Sequence, residues 1–410
     1  MQILQSKKQV YIFVFALIMF SFIQVINFQF GKVSSFVLGL VEIIAVIVMI
    51  YIGRKIFNEF KFENQYFKFI FSIFIAYQFM LLVRGFIPFD YKIFKYNLQT
   101  DFIIWPSLIP LAIFLNKSDL TFFYFIKSFY ILSIAFLFFS IIDPFLVTQR
   151  VTAEDFILPF SFTCGFILLN VKYVSKKIAW LAFISLLIGL LSFTYLGRRN
   201  AIVSYAGLIL IGTYFVLKSM DAARVIRFFP FIAALFVFAV LSSDNLLPDF
   251  TSRLNQRLNE DTRTDVFDNF FKGMKDDMIF GKGINGKYYS PINETFTDDG
   301  VVYGEIEFRD VIENGYLQLL LTGGYLHIVL FVLILLPAAY LGLFKSSNQL
   351  SRACGIIIIL WMIDMSIYGM PRLVMQYILV WISVGICYKA SFRAKTDDEI
   401  SESFIAVEMT

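Results

Sequence analysis

The chemistry that this sequence offers most clearly comes from arginine side chains near predicted helix ends. A guanidinium group is a planar, permanently charged fork that pairs with two oxygens of a phosphate or a carboxylate. One arginine at such a position is better interpreted as an anchor to lipid headgroups, or as a partner of nearby acids such as Asp143, Glu154 and Asp155. A set of them on one face favours a shared anionic ligand. The candidates are Arg84, Arg150, Arg198, Arg199, Arg263 and Arg372.

Acidic side chains within apolar runs are the second group of candidates. A charge inside a membrane segment is costly, so it is usually functional or paired. Glu42 and Asp364 each lie within a long apolar run, and Arg372 is close enough in sequence to share a site with Asp364. A structural ion pair and a role in a site both stay open for these two acids.

The sequence gives little support for a metal site or a nucleotide-binding site. His327 is the only histidine and lies in an apolar run, so it is predicted to be a packing residue, and we expect no metal site. The cysteines at 164, 354 and 387 lie in apolar runs without metal-ligand spacing. The segment from Gly281 to Gly286 matches GxGxxG, but a dinucleotide site also needs a preceding strand and a following helix. Its glycines would suit a tight turn whose N–H groups could face an anion, and an ordinary loop is the default interpretation.

The composition decides the class of protein. The chain has 410 residues, of which 59% are hydrophobic and 16% are charged, and its mean hydropathy is +0.74. One soluble core cannot bury so much apolar surface, and repeated apolar runs of about 18 or more residues indicate membrane-spanning helices. We therefore predict an all-α integral membrane protein. The net charge of +4 fits the basic cytoplasmic loops of such proteins and does not indicate a nucleic acid partner.

About 12 transmembrane helices are predicted. The tenth is too long for one straight span, so Gly323-Gly324 is predicted to separate a first amphipathic piece from the membrane helix proper. Lys and Arg are concentrated in alternate short loops beginning with the N-terminus, which predicts that both termini are cytoplasmic. The predicted spans are about 9–29, 33–52, 66–84, 101–115, 121–143, 156–173, 178–196, 200–217, 227–243, 312–343, 353–369 and 373–390.

The predicted layout is a single polytopic membrane domain over residues 1–410. A large periplasmic (external) loop, 244–311, is inserted in it, and 391–410 form a short cytoplasmic tail. The tail is acidic and is expected to be disordered. Within the loop, apolar residues from Val266 to Met274 recur at helical spacing. They predict an amphipathic helix whose phenylalanine face lies in lipid or on the bundle.

Three segments, in this order, resemble the bacterial O-antigen polymerase and O-antigen ligase family of polytopic membrane enzymes. They are GRRNAIVSY (197–205), RTDVFDNFFKGMKDDMIFGKGING (263–286) and ENGYLQLLLTGGYLHIVLF (313–331). Their order covers about 197–331 in sequence. At the third segment, members of the family have a pattern similar to His-Asn-x-Tyr-Leu. This chain has Glu313 where ligases tend to have the His. The departure argues against a ligase-type His base and favours a polymerase.

The resemblance implies a glycosyltransferase of polysaccharide biosynthesis in the bacterial cytoplasmic (inner) membrane, working without a cofactor. Its substrate would be an oligosaccharide linked to polyprenyl (undecaprenyl) diphosphate. Membrane lipid and a chain-length regulator protein are its implied partners. An acceptor hydroxyl would attack the anomeric carbon while arginines hold the diphosphate.

The same resemblance assigns roles to particular residues. Glu313, as a base, and Arg199 are the candidate catalytic residues, and burial at the membrane boundary would strengthen Glu313 as a base. Arg198, Arg199 and Arg263 are the first candidates for the diphosphate. Arg84, Arg150 and Arg372 are the second candidates for it.

Two alternatives stay open. The first is an O-antigen ligase, which moves glycan onto the lipid core of lipopolysaccharide. The second is a transporter or flippase of lipid-linked oligosaccharide. Many transporters are built from internal repeats with broken helices in corresponding positions, and the sequence has no clear internal repeat.

Overall fold

A computed structural model describes part of the chain in detail. The described residues are 8–20, 35–56, 62–87, 90–91, 93–94, 97, 103–104, 106–107, 109–110, 122–128, 130–131, 158–195, 199–218, 264–292, 306–367 and 369–409. Their helices are α1 (Lys8–Phe20), α2 (Ser35–Ile56), α3 (Gln65–Gly85), α4 (Leu158–Leu169), α5 (Lys176–Tyr195), α6 (Arg199–Lys218), α7 (Thr264–Met274), α8 (Gly315–Phe344), α9 (Gln349–Ile367), α10 (Met375–Tyr388), α11 (Ala390–Ala394) and α12 (Asp397–Met409). The strands are β1 (Tyr288–Ile292) and β2 (Ile306–Arg309).

Three of the described helices, α3, α8 and α9, are long and apolar enough to cross a membrane. Two further helices, α1 and α10, and the stretch Ser204–Phe215 of α6, are apolar but shorter. These helices agree with the predicted class of helical membrane protein. The number of about twelve spans stays a prediction, because several of the predicted segments, such as 227–243, lie outside the described residues.

Helix α8 lies at the centre of the described bundle and packs against α3, α9 and α10. Every residue of α10 is buried, as expected of a helix that is apolar on all sides. Its Trp381 contacts the rings of Phe74 in α3 and Phe331 in α8, with ring centroids 5.8 Å apart in both pairs. Helices α4, α5 and α6 pack on one another, and α4 also contacts α9 and α10.

Helix α8 is interrupted at Gly324, where φ is 65° and ψ is −168°. The predicted division at Gly323-Gly324 is therefore confirmed. An interruption removes intrahelical hydrogen bonds, and unpaired backbone groups cost several kcal/mol each in a membrane. These groups must therefore find partners elsewhere in the protein.

The partners come from the loop segment 278–283, which lies across the interruption. The N–H groups of Lys282 and Gly283 donate to the carbonyls of Leu321 (2.7 Å) and Thr322 (2.9 Å). On the other side of the interruption, Tyr325 and Leu326 donate their N–H groups to the carbonyls of Met278 (2.8 Å) and Ile279 (3.3 Å). From α3, the Tyr77 hydroxyl donates to the Gly323 carbonyl (2.6 Å). The loop thus completes the hydrogen bonding of the broken helix.

Two glycines permit this close approach. Gly281 and Gly324 both have a φ of +65°, a backbone conformation that side chains disfavour. A Cβ at Gly281 would collide with the backbone of Gly323 and Gly324, and a Cβ at Gly324 would collide with the backbone of Ile279. Only glycine fits both positions.

The loop also contains the predicted amphipathic helix, which is confirmed as α7. Its Phe270 and Met274 are buried in a cluster with Tyr288, Leu320 and Leu321. The phenylalanine face therefore rests on the bundle, one of the two predicted placements. The sequence did not predict the antiparallel sheet of β1 and β2, whose register pairs are Tyr288 with Arg309, Tyr289 with Phe308 and Ile292 with Ile306.

The C-terminal tail is helical, so the prediction of disorder is wrong. Asp397 at the start of α12 accepts hydrogen bonds from Lys172 Nζ (2.8 Å), the Tyr173 hydroxyl (2.5 Å) and the Gln349 N–H (2.7 Å). The tail also contains Phe404, whose ring is 4.8 Å from that of Phe123, centroid to centroid. The acidic composition indicated disorder, but the ring of Phe404 and the carboxylate of Asp397 make contacts that order the segment.

Gly324→Ala and Gly281→Ala should each destabilise the protein, by ~1–3 kcal/mol from the backbone conformation alone. The collisions of the added Cβ should increase that loss. The measurement is the thermal unfolding midpoint of purified protein in detergent. Gly207→Ala is the matched control, because a Cβ there meets nothing within 4 Å. A Gly324→Ala protein as stable as the Gly207→Ala protein would contradict the proposed fit.

Asp397→Asn should reduce stability at pH 7 by ~1 kcal/mol. Partial burial acts to raise the pKa of Asp397, but hydrogen bonds from Lys172, Tyr173 and the Gln349 backbone outweigh it, so the pKa lies below its ordinary 3.8. A lowered pKa means that this stabilisation is present above the ordinary value and lost as pH falls through the folded value. The unfolding midpoints of the wild type and Asp397→Asn should therefore differ at pH 7 and converge in acid. The exposed Asp398, changed to Asn, is the control.

Candidate functional site

The structure describes the side chains of only some of the candidate arginines. Arg150, Arg198 and Arg263 lie outside the described residues. Arg199 is the first residue of α6, and only its backbone is described. The side chain of Arg84 is exposed in the last turn of α3, and its Nη1 donates to the carbonyl of Phe280 at 3.3 Å.

Glu313 lies directly before α8, where Asn314 caps the helix. The Asn314 Oδ1 accepts from the Leu317 N–H (3.0 Å), and its Nδ2 donates to the carbonyl of Ser366 near the end of α9 (2.6 Å). Gly315 allows the two helix ends to approach, because a Cβ there would collide with the carbonyl of Gly369. The start of α8 and the end of α9 are thus joined at one end of the bundle.

The side chain of Glu313 is exposed on the surface of the protein. The residue precedes the N-cap, and the helix that begins there directs its apolar side chains into the bundle and leaves Glu313 at the surface. An exposed carboxylate is accessible to a substrate hydroxyl.

Asp364 connects three helices near the same end of the bundle. Its buried carboxylate accepts from Ser204 Oγ in α6 (3.3 Å) and from Gln376 Nε2 in α10 (3.1 Å), and it interacts electrostatically with Arg372. Ser204 is five residues after Arg199, a rise of roughly 7.5 Å along the helix. The start of α6, the half-buried Arg372 and the α8–α9 junction are therefore neighbours.

Arg309 is a cation near this end that the sequence analysis missed. It ends β2 and is the register partner of Tyr288, a fully buried residue. Burial raises the pKa of Tyr288, Arg309 opposes that rise, and the negative charges of Glu313 and Asp310 add to it. The charges of Arg309 and Glu313 thus both influence one hydroxyl group.

The return of the chain from β2 to α8 is held by Gln318. Its Oε1 accepts from the N–H of Ile312 (2.9 Å), and its Nε2 donates to the carbonyl of Asp310 (3.2 Å). These bonds hold Arg309 and Glu313 at opposite ends of a short, fixed segment. Arg309 was missed because it lies neither in a short loop nor in one of the three segments that resemble the family, from which the candidate arginines came.

The segment from Gly281 to Gly286 forms a loop that packs on α8, in agreement with the default interpretation of an ordinary loop. The N–H groups of Lys282 and Gly283 already donate to carbonyls of α8, and that of Gly286 donates to the Gly283 carbonyl at 2.9 Å. The glycines serve the approach of two backbone segments.

His327 is a packing residue, as predicted. It is buried, its Nε2 lies 2.7 Å from Gln78 Nε2, and its Nδ1 lies 3.3 Å from Thr322 Oγ1. Ser107 Oγ donates to Gln78 Oε1 at 2.6 Å, so the Gln78 amide nitrogen is the donor to the imidazole. The histidine thus ties α8 to α3 just beyond the interruption. Within the described residues, no three His, Cys, Asp or Glu side chains are grouped as metal ligands.

Asn314→Asp should separate the two tasks of this side chain. The variant keeps an oxygen that caps Leu317 but loses the donor to the Ser366 carbonyl, so we expect a loss of about 1–3 kcal/mol in stability. Asn314→Ala loses both contacts and should be less stable still. Thermal unfolding of the two purified variants measures the difference. Equal stability of Asn314→Asp and the wild type would show that the contact between α8 and α9 contributes nothing.

Comparison with known proteins gives one match. Residues 181–334 match the Wzy_C family model, described as O-antigen ligase. The match extends from α5 to the middle of α8 and includes α6, α7, the sheet and the interruption. No curated protein and no solved structure matches the chain.

Members of this family are polytopic membrane proteins that act as glycan polymerases or ligases on lipid-linked glycans. The three segments that resemble the family, 197–205, 263–286 and 313–331, all lie within the matched residues. The resemblance is confirmed for residues 181–334, less than half of the chain, which match the model of the O-antigen ligase family.

Proposed function

We propose that this chain is a polysaccharide polymerase of the O-antigen or capsule type. It transfers glycan from a polyprenyl diphosphate carrier to a hydroxyl of a lipid-linked acceptor repeat unit. The acceptor oxygen forms a bond to the anomeric carbon as the bond from that carbon to the diphosphate oxygen breaks. The diphosphate leaves with the electron pair, and the hydroxyl proton passes to a carboxylate.

The observation that carries this proposal is the neighbourhood at the start of α8. Glu313 precedes the N-cap that joins α8 to α9, and Asp364 brings Arg372 and the helix that begins with Arg199 to the same end of the bundle. A base and two guanidinium groups are what the transfer requires. We assign Glu313 as the base and Arg199 and Arg372 to the diphosphate.

Electrostatics explains the preference for arginine in this role. The departing diphosphate gains negative charge, and guanidinium groups held in place stabilise it without reorganisation during the reaction. Arg309 extends the set, because it lies near the hydroxyl on which Glu313 also acts. Arg84, Arg150, Arg198 and Arg263 stay candidates for the same ligand.

The distribution of charge supports an orientation with both termini in the cytoplasm. The end of the bundle that holds the C-terminal tail is rich in cations, as cytoplasmic ends of membrane proteins are. The proposed site lies at the opposite end, where glycan assembly outside the cytoplasm would take place. The cations at the tail end include Lys172, Lys176, Lys177, Lys345, Arg352, Lys389, Arg393 and Lys395.

The second candidate function is an O-antigen ligase, which the description of the matching family favours. Glu313, in place of a His, favours the polymerase. Purified protein supplied with repeat-unit lipid alone separates the two activities, because only a polymerase lengthens it. If no elongation occurs while transfer to a lipid core does, the ligase is the correct assignment.

Glu313→Gln should lower the rate of chain elongation about 100-fold or more, because the amide cannot accept the proton. The rate is measured with purified protein and repeat-unit lipid. Glu402→Gln, at an exposed position on α12, is the control. Long chains made at the normal rate by Glu313→Gln would refute its role as base.

Arg372→Lys should reduce transfer even though it keeps the charge, because an ammonium group lacks the planar fork. Arg372→Ala should reduce it further, mainly through KM for the diphosphate-linked donor. Arg352→Ala, an exposed arginine at the tail end of the bundle, is the matched control. If both Arg372 variants retained the wild-type KM and rate, Arg372 would have no part in the site.

A further inference from the structure

The two faces of the small sheet differ sharply. Residues alternate between the faces of a strand, and in β1 Tyr288 and Ser290 are buried while Tyr289 is 52% exposed. On β2 the register partner of Tyr289 is Phe308, which is 56% exposed. One face therefore rests on the protein, and the other presents two aromatic side chains side by side.

The two exposed rings form a platform. The centroids of Tyr289 and Phe308 are 5.6 Å apart, and the ring planes meet at 70°. In this edge-to-face arrangement each ring supports the other and still has open surface. An exposed cluster of large apolar side chains marks an interaction site more often than a chance feature of the surface.

The platform cannot lie in the hydrocarbon of the membrane. Within the described residues the sheet has only two strands, so its outer edges carry backbone groups that need water or protein partners. Lipid-exposed sheet edges do not occur at that depth. The exposed rings therefore face the aqueous side or the headgroup layer.

The other face of the same sheet borders the proposed site. Tyr288 is paired with Arg309 across the strands, donates its hydroxyl to the Val311 carbonyl (3.3 Å), and is influenced by the charge of Glu313. The segment from Arg309 to Glu313 is fixed by Gln318. The aromatic platform thus lies on the same two strands as Tyr288 and Arg309, on the opposite face of the sheet.

We propose that Tyr289 and Phe308 form a stacking subsite for sugar rings of the lipid-linked glycan. This inference rests on the proposed function. A pyranose ring has a C–H face that packs on an aromatic ring and a rim of hydroxyl groups that stays in water. The diphosphate binds arginines at the membrane, so the sugars that extend from it need a contact farther out. A platform of two rings on the sheet that borders Glu313 provides this contact.

The test measures binding of a glycan without its lipid. The probe is the free oligosaccharide released from the lipid-linked repeat unit of the producing cells, titrated into the purified full-length protein by NMR. We expect the double variant Tyr289→Ala/Phe308→Ala to bind about tenfold more weakly or worse. Tyr289→Phe/Phe308→Tyr keeps both rings and should bind as the wild type does.

The matched control is a second exposed pair at the other end of the molecule. Tyr340 and Phe344 in α8 are 51% and 71% exposed, with ring centroids 5.4 Å apart. Tyr340→Ala/Phe344→Ala should leave binding unchanged. Undiminished binding by the Tyr289→Ala/Phe308→Ala protein, or no binding by the wild type, would overturn the subsite.

Two further measurements separate this inference from its alternatives. Glu313→Gln should bind the free oligosaccharide normally, so a failed reaction and a failed subsite give different results. Phe308→Trp, in vesicles of brominated phosphatidylcholine, reports whether the platform touches lipid. The Tyr289→Ala/Phe308→Ala protein gives the quenching of the four native tryptophans, which is subtracted. Strong quenching of the added tryptophan would then show that lipid, and not glycan, covers the platform. Weak quenching, with glycan binding intact, supports the subsite.

Discussion

Backbone groups at the interruption of α8 lose their partners within the helix, and Gly323 and Gly324 are buried. Loop segment 278–283 provides four of the bonds, and Tyr77 of α3 provides a fifth. Each unpaired group would cost several kcal/mol in hydrocarbon, so the interruption and the loop stabilise each other. The loop is therefore fixed to the bundle by its backbone, and the two glycines at 281 and 324 are what allow the contact.

The contact between loop segment 278–283 and α8 fixes the geometry of the candidate site. The part of α8 before the interruption carries Asn314 and follows Glu313, and it is held on one side by α9 and on the other by the loop cluster around Tyr288. Beyond the interruption, His327 joins α8 to Gln78 in α3. The first half of α8 can therefore present Glu313 at a defined position, although the residue itself is exposed on the surface.

Local pattern predicted several of these elements correctly. Two consecutive glycines in an overlong apolar run predicted the break in α8, and the spacing of apolar residues from Val266 to Met274 predicted α7. The lone His327 was correctly expected to pack. Each of these features depends on residues near one another in the chain, where periodicity and glycine placement carry the signal.

Other elements depend on contacts between distant segments, which no local pattern reports. The N–H groups of Lys282 and Gly283 donate to carbonyls of α8, a contact between segments about forty residues apart in the chain. The acidic tail folds because Asp397 meets Lys172 and Tyr173 from far along the chain. Short strands such as β2 are weak signals, and the surface position of Glu313 follows from how α8 meets α9.

Hydrogen exchange at the interruption is the most direct measurement of the contact on which the rest depends. The amides of Lys282, Gly283, Tyr325 and Leu326 should exchange slowly in the folded protein, and together, because each donates across the junction between loop and helix. Gly324→Ala should accelerate all four. Rapid exchange of Lys282 and Gly283 in the wild type, at the rate of an exposed loop, would show that the loop does not complete α8.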